Sequence, residues 1–112
     1  MSDEITKTLR LAYRDKLLIK INEAIKQWDN LVGVTWQDEQ CKAFYKMIHQ
    51  FNGSSGSYGY LDVSNELSSL EMHVKALMDQ DGKISAEEHM KIKNKLDEIN
   101  NLIKAILASD EG

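Results

Sequence analysis

Val63-Ser64-Asn65-Glu66-Leu67-Ser68-Ser69-Leu70-Glu71-Met72-His73-Val74-Lys75-Ala76-Leu77 sets its apolar residues at steps of four, three, four and three. That repeat makes a narrow seam along one side of an amphipathic helix. It predicts a helix from about Leu61 to Met78. The same period returns on both sides of the stretch. Upstream, Leu9, Tyr13, Leu17, Ile21, Ala24, Ile25 and Trp28 predict a first helix from Asp3 to about Asn30. Ile5 could belong to a short extra N-terminal helix that meets the main one at an angle. Downstream, Ile92, Leu96, Ile99, Ile103 and Ile106 predict a last helix to about Ala108. Ser85-Ala86-Glu87-Glu88 opens it as a capping box, and 79–83 is a turn.

The remaining helix is predicted to begin near Trp36 and reach at least Phe51. Thr35 is the expected cap, with Asp38 and Glu39 favourable in the first turn beside the helix dipole. Ala43, Phe44, Met47, Ile48 and Phe51 form its core face, with Cys41 near the edge as a packing residue. Val32-Gly33-Val34 reads as a loop, because a strand there has no evident partner. The chain contains no proline, and Gly53, Gly56 and Gly59 form one cluster among its six glycines. Long stretches without breakers and short connections imply an all-α, antiparallel up-down four-helix bundle. No linker or internal repeat divides it, so 1–112 reads as one domain.

Composition narrows the function classes. Fourteen basic and 18 acidic residues give a net charge of −4, which argues against nucleic acid as a partner. No apolar run reaches the length of a membrane span, and the acidic start lacks the features of a signal peptide. One cysteine excludes an internal disulfide and a cysteine-based zinc site. A cytoplasmic setting with no membrane partner is the expectation. The polar ending at 109–112 could lead into a linker.

On a helical wheel His49 lies opposite the core face of the second helix. Tyr45 and Gly53 sit one turn to either side, and Gly56 follows. Lys42 and Lys46 flank the same outer surface, and Asn52 is expected there beside Tyr45. Glycine inside a helix costs about 1 kcal/mol relative to alanine, so Gly53 and Gly56 need a reason. One is close approach of another molecule to the imidazole. The other is that Gly53 ends the helix and 54–57 is a flexible loop.

Ile48-His49-Gln50-Phe51-Asn52-Gly53-Ser54-Ser55-Gly56-Ser57-Tyr58-Gly59 resembles the signature of histidine-containing phosphotransfer (HPt) domains of two-component phosphorelays. Leu67 to Glu71 resembles the following helix of that family. The resemblance implies that His49 accepts a phosphoryl group from a receiver-domain aspartyl phosphate and passes it to another receiver. It implies response-regulator receiver domains and a hybrid histidine kinase as partners. No cofactor is expected on this chain, since Mg²⁺ would belong to the receiver. The chain would be a phosphoryl carrier and not an enzyme, with Nε2 of His49 as the reacting atom. Gly53 matches the family glycine that leaves room for the ring and the docking partner. The family usually has lysine where this chain has Asn52; the amide keeps a donor and loses the charge, for which Lys46 or Lys42 could compensate.

Two other readings remain. The stretch 77–88 can be laid over an EF-hand loop, with Asp79, Asp81 and Glu88 at ligand positions, but Leu77 replaces the first ligand. A calcium-binding helical protein is one alternative, and a helical adaptor without phosphotransfer is the other. His73 and His89 lack a second ligand at metal spacing and read as surface or boundary residues.

Overall fold

The structure, a computed structural model, describes residues 3–109, with side-chain surroundings from residue 7 onward. Residues 110–112 of the polar ending expected to lead into a linker, and the first two residues of the acidic start, lie outside that range. Four helices follow one another: α1 Asp3–Asp29, α2 Glu39–Ser57, α3 Leu61–Met78 and α4 Ala86–Ser109. Each packs on its neighbours in the chain, and α4 returns to α1. This is the expected all-α four-helix bundle. The core takes Leu17, Ile21 and Trp28 from α1, Phe44, Ile48 and Phe51 from α2, Val63, Leu67 and Leu70 from α3, and Ile92, Leu96 and Ile99 from α4. Among the described residues no helix is long and apolar enough to cross a membrane.

The up-down course is visible at the two ends. At one, the connection between α1 and α2 meets that between α3 and α4. Trp36 N–H donates to Gly82 O at 3.0 Å and Ile84 N–H donates to Val34 O at 2.8 Å, around an isolated antiparallel bridge between Thr35 and Lys83. The segment expected to be a loop without a partner therefore has one. Inside this end, Trp28 packs on Phe44 with ring centroids 4.9 Å apart and stacks on His89 at 5.0 Å. Trp28 Nε1 also donates to the His89 carbonyl, and His89 Nε2 donates to the Trp28 carbonyl, each at 3.0 Å. At the other end Tyr58 stacks on Tyr13, Tyr60 donates to the Arg10 carbonyl, and Arg14 donates to the Leu107 carbonyl.

Several expectations are corrected. α1 is one helix from Asp3, with no separate leading helix. Leu9 is 45% exposed and lies off the core face that Tyr13, Leu17 and Ile21 form. Ala43 is exposed, while Cys41 is fully inside the core. α2 starts at Glu39, and its cap is Asp38, whose carboxylate accepts from Gln40 N–H at 2.8 Å. Thr35, in the bridge with Lys83, lies three residues before that cap. The capping box of α4 forms as expected: Ser85 N–H donates to Glu88, and Glu88 N–H donates to Ser85 Oγ, each at 3.1 Å.

Candidate functional site

α2 continues unbroken through Gly53 and Gly56 to Ser57. Gly53 and Gly56 are therefore helix and 54–57 is not a flexible loop, Gly59 alone of the cluster lying past the helix end at φ 86°, and His49 has a full turn of helix on either side. His49 is exposed, with 66% of its side chain open to solvent. Its Nδ1 lies 3.0 Å from Glu71 Oε2 on α3. A carboxylate accepts and does not donate, so Nδ1 carries a hydrogen, and in the neutral ring the lone pair is on Nε2. Nε2 has no partner among the described residues. Glu71 is far less exposed than the histidine that it holds, with 18% of its side chain open.

The two glycines do different work. A Cβ placed on Gly53 would meet nothing within 4 Å, so the surface one turn beyond His49 is bare. A Cβ on Gly56 would come within 3.2 Å of Ser64 Oγ on α3. Gly56 therefore lets two helices approach each other and is not part of the open face, contrary to the expectation from the wheel.

Asn52 does share one stripe of α2 with Tyr45, seven residues apart, but that stripe is half-buried and not an outer surface. The Asn52 amide turns toward α3. Its Oδ1 accepts from Ser64 Oγ at 2.7 Å, and its Nδ2 donates to Ser68 Oγ at 2.8 Å and to Glu71 Oε1 at 3.3 Å. Ser64, Ser68 and Glu71 follow at i, i+4 and i+7 on one stripe of α3. The two serines carry no role in the sequence reading. A polar stripe running beside the apolar seam of α3 was the available signal. Lys42 and Lys46 are exposed as expected; Lys42 lies 3.6 Å from Glu39, whereas Lys46 has no ion pair among the described residues.

The other candidates do not gather into a site. Among the described residues no group of three or more His, Cys, Asp or Glu side chains could hold a metal ion. Asp79 and Asp81 are exposed, and Glu88 is engaged in its capping box. His73 lies between α3 and α4, away from His49, in a groove with Lys91 and Lys95. Burial pushes the Cys41 thiol up to about 11, with Asp38 adding to the shift, so the reactive thiolate is suppressed. No protein-family model, curated protein or solved structure matches the chain.

Proposed function

We propose that the chain is a phosphoryl carrier of the HPt kind, working in the cytoplasm between receiver domains, with His49 as the acceptor. The observation that carries this reading is an exposed imidazole, held through Nδ1 by Glu71, beside the bare helix surface at Gly53. The lone pair of Nε2 attacks the phosphorus of an aspartyl phosphate on the receiver. The N–P bond forms as the O–P bond breaks, and the electron pair leaves with the aspartate carboxylate. No proton has to move, because Nδ1 keeps its hydrogen and the ring becomes cationic. Glu71 faces that cation from the opposite side of the ring, the arrangement by which a carboxylate steadies a charged imidazole. Lys46, one turn before His49, supplies positive charge on the outer surface near the incoming phosphoryl group. The receiver would supply the metal and the leaving carboxylate.

The test is incubation with a phosphorylated receiver domain, followed by assay for acid-labile, alkali-stable phosphate on the chain. His49→Gln is expected to abolish labelling with its melting temperature nearly unchanged, since an exposed substitution costs within about 0.5 kcal/mol. Labelling that persists on His73 or His89 would overturn the assignment.

A further inference from the structure

Asn52 is the one side chain besides His49 that hydrogen-bonds Glu71 among the described residues. We infer that Asn52 is a positioning residue: through Glu71 it fixes His49 as the Nδ1–H tautomer and so keeps the lone pair on Nε2. The inference rests on His49 being the phosphoryl acceptor. Neutral imidazole carries one hydrogen, and the partner of one nitrogen decides what the other can do. A glutamate alone is a poor anchor, because its side chain must give up rotamer freedom to hold one oxygen in place. Here that freedom is removed by a chain of contacts. Ser64 and Ser68 on α3 fix both ends of the Asn52 amide, and the amide holds Glu71 Oε1. Glu71 Oε2 is then presented to the ring.

The amide has a second consequence that a lysine would not have. An ammonium group at this position would pair with the Glu71 carboxylate and cancel the charge that faces the ring. Asn52 donates one hydrogen bond and leaves that charge in place. When Nε2 takes up the phosphoryl group, the cationic ring therefore faces a carboxylate that no other cation among the described residues shares.

The inference is tested on the full chain labelled with ¹⁵N, by long-range ¹H–¹⁵N correlation of the His49 ring while it is neutral. This measurement needs no phosphoryl donor. Asn52→Asp keeps the shape and the Ser64 contact but turns the donor toward Glu71 into an acceptor. The wild type is expected to show the Nδ1–H tautomer, and the folded Asn52→Asp variant to lose it. Acceptance from a phosphorylated receiver is expected to fall about tenfold or more, as for other orienting partners of a reactive histidine. Ser68→Ala, which removes one anchor of the amide, is expected to shift the tautomer the same way by less, and serves if Asn52→Asp does not fold. An unchanged tautomer in a folded variant overturns the inference, even if acceptance falls, because Asn52 would then act by touching the partner. Loss of the tautomer in a chain whose wild type accepts no phosphate would uphold the positioning of His49 and overturn the phosphotransfer reading.

Discussion

Gly53 and Gly56 stand one turn apart on α2, and their surroundings set opposite expectations for the same substitution. Gly53→Ala meets open space, so the helix gains the usual advantage of alanine, about 0.5–1 kcal/mol. In Gly56→Ala the new methyl presses on Ser64 Oγ, which is tied to Asn52. Displacing that hydroxyl costs about 1 kcal/mol for the hydrogen bond and cancels the helical gain. Urea denaturation should therefore show a stabilised Gly53→Ala and a Gly56→Ala no more stable than wild type. Gly53→Leu should fold as well and yet block phosphoryl transfer from a receiver, because the bulk fills the bare surface. Unimpaired transfer would leave Gly53 no part in docking. Cys41 gives a pH expectation. Its thiol ionises at about 11 in the fold against 9.0 ordinarily, so between those values the unfolded chain has lost a proton that the native chain keeps. Stability contributed below pH 9.0 is lost as pH rises toward about 11. Cys41→Ala should show a shallower alkaline loss in thermal scans across that window.

At the scale of the helices, what could be read in advance divides by the range of the interaction. The seam of α3, the face of α4 and the Ser85–Glu88 box are local patterns, and each forms where its spacing puts it. The start of α2 depends on a distant segment. Thr35 and Asp38 are both good caps by type; the segment after Thr35 is tied to the distant connection through Trp36 N–H and Gly82 O, and the helix starts only after Asp38. The length of α2 past Gly53 depends on α3 in the same way, since Ser64, Ser68 and Glu71 hold Asn52 just before the glycine. His49 could be placed on an outer face from periodicity alone, whereas its tie to Glu71 joins two helices that a wheel treats separately. Asp38→Ala should cost about 1 kcal/mol, the usual worth of a helix cap, by thermal or urea unfolding. Thr35→Ala should cost α2 no cap.

Across the whole molecule, each end is closed differently. The Trp28 end is closed by aromatic packing and by the short bridge between two connections. Amides in connections usually exchange quickly with solvent, but Trp36 N–H and Ile84 N–H are bonded across that bridge. They should exchange at least tenfold more slowly than Gly33 N–H by NMR, and equal rates would mean that the bridge does not persist. The tie between His49 and Glu71 has a consequence for how a message could be carried. The phosphoryl group would arrive on the side of the ring that holds nothing, and the tethered side would keep its bond. Loading would then break no contact within the bundle. The chain would pass information as a chemical label on a fixed frame, with no change of shape to transmit, and a receiver would have to read that label by touching it.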